Sequence, residues 1–136
     1  MTLAILAALV VQLETAVLGD VLCAEGRGML ETRRGRVEVL ALAETARKRA
    51  RDGRRSILRE VSTAQWAHGC PAGARRPFVK LAGHFLAGKV RGPKWARRAV
   101  AFVAPRALGK VNKVWRARGL VPIRGTRTVH VFWRRR

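Results

Sequence analysis

The side chains of this sequence that could do chemistry are mostly guanidinium and ammonium groups. Residues 61–136 hold 18 Lys or Arg and no Asp or Glu, whereas all eight acidic residues lie in the first 60 positions. Arginine binds phosphate through a planar fork of donors and stacks on bases. A folded surface with one sign of charge repels itself unless a counter-charged partner is present. We therefore expect a polyanion partner, with nucleic acid first and an acidic membrane surface second.

The residues that could support catalysis or metal binding are few and scattered. Cys23, Cys70, His68 and His84 form no CxxC or HxxxH pattern, so no metal site is expected. A nucleophilic Cys70 would need a base and an orienting acid, and every carboxylate lies in the other half of the chain. Glu38 belongs to a helix face rather than to a carboxylate pair suited to acid–base work. We expect a non-enzymatic protein with no cofactor and no metal.

Length and composition favour one domain, or one small domain with an extension. The 136 residues are 49% apolar, which is too hydrophobic for a disordered tail. Cys23 and Cys70 are far apart in the sequence and lie in unlike contexts. Two thiols do not make a disulfide framework, so we expect reduced cysteines in an intracellular protein.

An apolar stretch opens the chain and predicts a first helix over residues 2–23. A secretory signal would carry positive charge before the apolar run, and none is present. Gln12, Glu14 and Asp20 interrupt the stretch where a membrane-spanning helix tolerates polar groups poorly. We expect a buried amphipathic helix, packed on the rest of the chain or on another copy. The alternative is membrane insertion of residues 2–22.

A second helical pattern runs over residues 37–61. Val39, Ala43 and Ala46 begin a series of small apolar residues at spacings of three and four, and arginines recur every four residues on another face. These spacings predict one long helix with an apolar face and a basic face. Gly53 is expected to weaken or kink its middle.

The chain is predicted to divide into a helical region, residues 1–61, a linker, residues 62–76, and a basic domain, residues 77–136. The linker holds a cluster of Gly, Pro and Ala that does not favour regular structure, at the point where the acidic residues stop. The basic domain is expected to hold three short helices and a β-hairpin, near residues 78–86, 93–103, 105–118, 120–123 and 128–133. The expected fold is mainly α with a small C-terminal β-hairpin.

The segment LGKVNKVWRARGLV, residues 108–121, followed by a hairpin with Gly125 at its tip, resembles the end of a winged helix-turn-helix DNA-binding domain. In that family a recognition helix leads through a Gly-Leu-Val step into a two-stranded wing. The resemblance covers residues 77–136. It implies that the third helix lies in the major groove and that Arg124 and Arg127 on the wing reach the backbone or minor groove. Few amide side chains occur on this helix, which favours phosphate binding over strict sequence recognition.

The predicted nucleic-acid contacts are basic side chains of the C-terminal part, together with one amide and one aromatic ring. They are Arg97, Arg98, Arg106, Lys110, Asn112, Lys113, Arg116, Arg118, Arg124, Arg127, Trp133, Arg134, Arg135 and Arg136. Trp133 is expected to be exposed and to stack on bases, whereas Trp95 and Trp115 are expected in the core.

These patterns predict a non-enzymatic protein of the cytoplasm or nucleoid that neutralises the phosphates of DNA or RNA. An alternative is an arginine-rich structural subunit of a virion or ribonucleoprotein particle. A second alternative is a membrane-associated protein that inserts residues 2–22. A homo-oligomer or assembly into a larger particle is compatible with this chain.

Overall fold

The computed structural model describes residues 2–136 and shows five α-helices and a three-stranded antiparallel sheet near the C-terminus. The helices are α1 (Leu3–Gly26), α2 (Arg33–Asp52), α3 (Ile57–Val61), α4 (Ala72–Leu86) and α5 (Leu108–Ala117). The strands are β1 (Ala99–Val103), β2 (Leu120–Pro122) and β3 (Val131–Arg135). Short 3₁₀ segments lie at Met29–Glu31, Lys94–Arg98 and Pro105–Ala107. The prediction of a mainly helical chain with β structure at its C-terminal end is confirmed.

Side-chain caps fix where the first three α-helices begin. The hydroxyl oxygens of Thr2, Thr32 and Ser56 each accept a hydrogen bond from a backbone N–H three residues later, at 3.3, 3.0 and 3.1 Å. Such caps satisfy one of the N–H groups that a helix start leaves unpaired. The cap at Ser56 explains why a new helix starts there.

The prediction of one helix over residues 37–61 was wrong, because the chain turns between α2 and α3. Gly53 ends α2, and its backbone N–H donates to the Arg49 carbonyl. Arg54 then takes a left-handed conformation with φ of 53°, which no regular helix contains. The predicted apolar face is nevertheless buried, since Val39, Ala43, Ala46 and Ala50 are at most 3% exposed.

Helix α1 differs along its length. Its C-terminal half is buried, with Leu18, Val21 and Leu22 fully inside the core. Residues 3–13 are exposed, and the apolar side chains there face solvent on every side of the helix. The expectation of a buried amphipathic helix was therefore wrong for this half. By length and composition, α1 is also apolar enough to cross a membrane.

Helix α4 packs directly on the buried half of α1, and glycine makes this approach possible. A Cβ atom placed at Gly19 would lie 2.6 Å from the Cα of Val79, which is closer than any real contact.

The predicted linker, residues 62–76, is shorter than expected because α4 already begins at Ala72.

A disulfide joins Cys23, near the end of α1, to Cys70, just before α4, with Cα atoms 5.6 Å apart. The prediction of reduced cysteines was therefore wrong. The sequence could not show this pairing, since it depends on α1 and α4 lying side by side. The bond closes the chain across a sequence separation of 47 residues.

The sheet has the strand order β1-β3-β2, with β3 pairing antiparallel to both neighbours. The expected hairpin corresponds to β2 and β3, and Pro122 lies in an edge strand as predicted. The helix expected over residues 93–103 was wrong, because Ala99–Val103 forms strand β1. These residues are small or β-branched apolar groups, and pairing with β3 buries most of them.

One large apolar cluster joins α1, α2 and α4 to Ala99 of β1 and Phe132 of β3. Residues on both sides of the predicted linker therefore contribute to the same core. A smaller cluster forms where α5 lies on the other face of the sheet, around Trp133. The predicted division at residues 62–76 stays a prediction.

Replacing Gly19 with Ala is expected to lower the free energy of unfolding by about 1–3 kcal/mol, because the methyl group overpacks the α1–α4 contact. Gly73→Ala, in the first turn of α4, has no atom within 4 Å of the added methyl group and is the matched control. It is expected to be neutral or stabilising by up to about 1 kcal/mol. Urea denaturation followed by circular dichroism measures both, and equal effects would contradict the close contact.

Reducing the Cys23–Cys70 bond is expected to lower the free energy of unfolding by about 4 kcal/mol, from the chain entropy of a loop of this size. The measurement is urea denaturation with and without a thiol reductant. The double variant Cys23→Ser/Cys70→Ser should match the reduced protein and no longer respond to reductant. A wild-type midpoint that is insensitive to reductant would count against the bond.

Candidate nucleic-acid interface

Four arginines from separate segments surround one groove beside the sheet. Arg98 precedes β1, Arg116 lies on α5, Arg124 follows β2, and Arg134 lies on β3. The groove has a volume of about 470 Å³. Its apolar floor consists of Val121, Pro122 and Ile123. No carboxylate is among its lining residues within the described chain. Four arginines around a floor without negative charge suit a phosphodiester backbone.

Helix α5 presents a basic side to solvent because its apolar side is held by the sheet. Leu108, Val111 and Trp115 pack against the small cluster around Trp133. Lys110 and Lys113 are exposed on the other side. The helix therefore has the two-sided character that its sequence predicts.

Asn112 orients Arg116 on the same helix. The Arg116 Nε donates to the Asn112 Oδ1 at 2.7 Å, one helical turn away. The Arg116 guanidinium also lies 5.7 Å from the centre of the Trp133 ring, within range of a cation–π contact. The amide oxygen predicted as a nucleic-acid contact thus has a partner within the protein, which fixes the direction of an arginine.

The prediction that Trp133 is exposed was wrong, because this ring is fully buried. Trp133 faces α5, and its ring meets Trp115 edge-on with centroids 5.3 Å apart. Strand alternation was predicted correctly, since Val131 and Trp133 share one side of β3 and Phe132 points to the main core. Trp95 is half-buried and packs on Phe132 at 5.0 Å.

Most of the other predicted contact residues lie on the surface. The exposed set is Arg97, Arg98, Arg106, Lys110, Lys113, Arg116, Arg118, Arg124, Arg127, Arg135 and Arg136, and the half-buried pair is Asn112 and Arg134. The Arg97 Nε lies 3.8 Å from the Glu44 carboxylate, so this side chain has a counter-charge inside the protein. The groove therefore gathers only some of the predicted contacts, and Lys110, Arg106 and Arg136 are not among the residues that line it.

Three of the eight carboxylates of the first half lie in the interior. Glu38, Glu44 and Glu60 are each at most 3% exposed. Glu60 accepts hydrogen bonds from Arg49 Nε at 3.0 Å and from the indole N–H of Trp66 at 2.7 Å. Buried carboxylates are tolerated only when such donors replace water. These carboxylates offset the arginines beside them, such as Arg49 and Arg97, whereas residues 61–136 hold no carboxylate to offset their own cations.

Glu38 of α2 holds the loop that joins β2 to β3. Its two carboxylate oxygens accept hydrogen bonds from the backbone N–H groups of Val129 at 2.6 Å and His130 at 2.9 Å. The His130 ring nitrogen Nδ1 lies 2.5 Å from the same carboxylate. This clamp fixes the far end of the segment that carries Arg124 and Arg127. Sequence reasoning missed it, since Glu38 and His130 are 92 residues apart.

Burial alone would raise the pKa of Glu38, but the hydrogen bonds from His130 and Val129 outweigh it and lower the pKa.

The loop between β2 and β3 has backbone conformations and hydrogen bonds that are typical of a turn. Gly125 has φ of 73° and Arg127 has φ of 55°. The Thr128 hydroxyl donates to the His130 carbonyl at 2.6 Å.

A second cleft lies at the other end of the hairpin and was not anticipated. It has a volume of about 510 Å³ and is lined by the aromatic rings of Trp66, Phe102 and Trp115 together with Arg118 and Arg135. Arginines beside aromatic rings are a pattern suited to unpaired bases. Trp66 is held in this cleft by its indole N–H, which donates to the Glu60 carboxylate at 2.7 Å.

The catalytic candidates are not brought together. Cys70 is bonded to Cys23, so it has no free thiol that a neighbouring histidine could activate as a nucleophile. Among residues 2–136, no group of three or more His, Cys, Asp or Glu is placed to hold a metal ion.

Comparison of this chain with protein-family models, curated proteins and solved structures finds no match.

Glu38→Gln is expected to lower the free energy of unfolding by about 2–3 kcal/mol at neutral pH, because charge-assisted hydrogen bonds become weaker neutral ones. The native pKa of Glu38 is lowered, so the unfolded chain binds the proton first as pH falls. The stability due to this group is complete above its ordinary pKa of about 4.3 and is lost as pH falls towards the native value. The difference between wild type and variant should therefore shrink below about pH 4.

Urea denaturation between neutral and acidic pH measures this difference. Glu31→Gln is the matched control, because Glu31 is exposed and its substitution removes the same charge. It is expected to change the free energy of unfolding by less than about 0.5 kcal/mol. A constant difference for Glu38→Gln across the whole range would contradict the clamp.

Proposed function

We propose that this protein binds nucleic acid by neutralising backbone phosphates with the basic surface formed by α5, β2, β3 and the loop between the strands. The observation that carries the proposal is the separation of charge. Glu38, Glu44 and Glu60 lie in the interior with protein donors, whereas Arg98, Arg116 and similar side chains remain on the surface. Such a surface favours a polyanion in which phosphates repeat.

The winged helix-turn-helix resemblance is kept within this proposal. Helix α5 leads through Gly119, with φ of 85°, into β2, and the loop with Gly125 leads back along β3. This order is what the resemblance implies for a recognition helix followed by a wing. In this proposal Lys110, Lys113 and Arg116 face the duplex, and Arg124 and Arg127 contact the adjoining backbone.

The alternative role, a structural subunit of a virion or ribonucleoprotein particle, is favoured by a different observation. Cations are not confined to one side, since Arg33 and Arg34 of α2 share a surface with Arg127. A disulfide is also more typical of oxidising settings, which include virions, than of cytosol. Cytoplasm, nucleoid and particle all remain predictions of where the chain acts.

The test compares two variants that each lose three positive charges. Arg98→Gln/Arg116→Gln/Arg124→Gln alters the groove, and Arg36→Gln/Arg51→Gln/Arg59→Gln removes exposed arginines of the N-terminal half. Fluorescence anisotropy with duplex DNA and single-stranded RNA is measured over a salt series. The groove variant should lose at least about tenfold in affinity, and its slope of log K against log salt should fall by about 2.7 on duplex DNA.

The control variant is expected to keep affinity within about threefold and to keep the wild-type slope. Equal losses in both variants would favour the particle role, in which charge acts without a defined face. Wild-type binding that is absent, or that does not change with salt, would refute the proposal.

A further inference from the structure

We infer that residues 3–13 of α1 insert into one leaflet of an anionic lipid bilayer and hold the folded body at the membrane surface. This inference is independent of the nucleic-acid proposal and rests on a different part of the molecule. The membrane alternative drawn from the sequence concerned residues 2–22 as a whole. The structure divides that stretch into an outer half and a half that belongs to the core.

The outer half is apolar on all sides. Its exposed side chains are Leu3, Ile5, Leu6, Leu9, Val10, Val11 and Leu13, with fractional exposures between 45 and 85%. The remaining positions between them are Ala4, Ala7, Ala8 and Gln12. At 100° per residue these positions cover the full circumference of the helix. A second copy would cover one stripe and leave the rest in water, whereas lipid covers every side.

The inner half cannot take part in a span without unfolding the protein. Leu18, Val21 and Leu22 are fully buried in the core, Gly19 contacts the backbone of α4, and Cys23 is bonded to Cys70. A spanning helix needs about 20 residues. Residues 3–13 extend about 16 Å along the helix axis, which is half of the hydrocarbon thickness of about 30 Å.

The polar groups at the base of this helix suit the headgroup region. Arg75, Arg76 and Lys80 of α4 line a groove with Ala16, three residues beyond the exposed half. Three residues of helix correspond to about 4.5 Å, which lies within the headgroup layer of about 5–7 Å on each side of the hydrocarbon. Basic groups at that depth attract anionic lipid.

The nearby carboxylates have partners within the protein. Glu14 accepts a hydrogen bond from the backbone N–H of Leu58 at 3.2 Å. The Asp20 carboxylate lies 3.9 Å from Arg75 and offsets part of its charge, so the exposed Arg76 and Lys80 supply most of the attraction to anionic lipid. The helix also begins with a capped end, since the Thr2 hydroxyl accepts the Ile5 N–H, so one of its free donors is satisfied before insertion.

The test is flotation of the full-length protein with phosphatidylcholine vesicles that contain or lack phosphatidylglycerol. Wild type is expected to float with the anionic vesicles. Leu6→Gln/Val10→Gln should reduce partitioning by about a hundredfold, because two apolar side chains lose their burial. Val114→Gln/Val129→Gln, which alters two side chains of similar exposure outside α1, should float like wild type.

Circular dichroism melting checks that each variant folds. DNA binding is measured separately, so that a failed nucleic-acid proposal stays distinguishable from a failed membrane inference. Absence of wild-type flotation would overturn the inference. So would equal flotation of Leu6→Gln/Val10→Gln, which would show that surface charge alone binds lipid. A discrete dimer that this variant dissociates, without vesicle binding, would show that a second copy covers the helix.

The depth of insertion is measured by quenching of an introduced tryptophan with lipids brominated near the chain ends. Ile5→Trp and Leu13→Trp are compared, each corrected for the native tryptophans of the unsubstituted protein. Insertion into one leaflet places residue 5 deepest, so Ile5→Trp should be quenched more strongly. A spanning helix would place residue 13 near the bilayer centre, and stronger quenching there would overturn the one-leaflet arrangement.

Discussion

Carboxylates placed in the interior are the constraint on which the rest of this molecule depends. Glu38 and Glu60 are nearly inaccessible to water. The donors to Glu38 come from the far end of the chain, and Glu60 accepts from Arg49 and Trp66 on either side of it in the sequence. Burying a carboxylate without such donors would cost roughly several kcal/mol of folding free energy, so these contacts must form together with the core. Glu60 ties α2 and Trp66 to α3, and Glu38 ties α2 to the last strand connection. The helical and sheet parts are thus joined by ionic contacts as well as by apolar packing.

The same arrangement sets the character of the surface. The buried carboxylates Glu44 and Glu60 pair with arginines of their own surroundings, which include Arg97 and Arg55. The groove around Arg116 and Arg134 is lined by arginines and apolar residues and by no carboxylate among the described residues. The exposed half of α1 adds an apolar surface at a different place on the molecule. Two unlike surfaces, one cationic and one apolar, are thus presented by a single folded core.

The sequence predicted much of the fold wherever local patterns decided it. The apolar face of α2, the inward side of α5, the stop at Gly119 and the edge position of Pro122 all follow from spacing and turn chemistry. The remaining features could not be predicted, because they depend on contacts between residues that are far apart in the sequence. Strand β1 exists because β3 pairs with it, and Trp133 is buried because α5 covers it. The disulfide and the Glu38 clamp likewise join residues whose proximity no local pattern records.

The strand order has a consequence for how the sheet is completed. β3 lies between β1 and β2, yet it follows both in the chain. The two outer strands pair only with β3, so without this strand both would present open backbone edges. Val129 and His130, which donate to Glu38, immediately precede β3. The closure of the sheet and the ionic contact with α2 therefore depend on the same short segment.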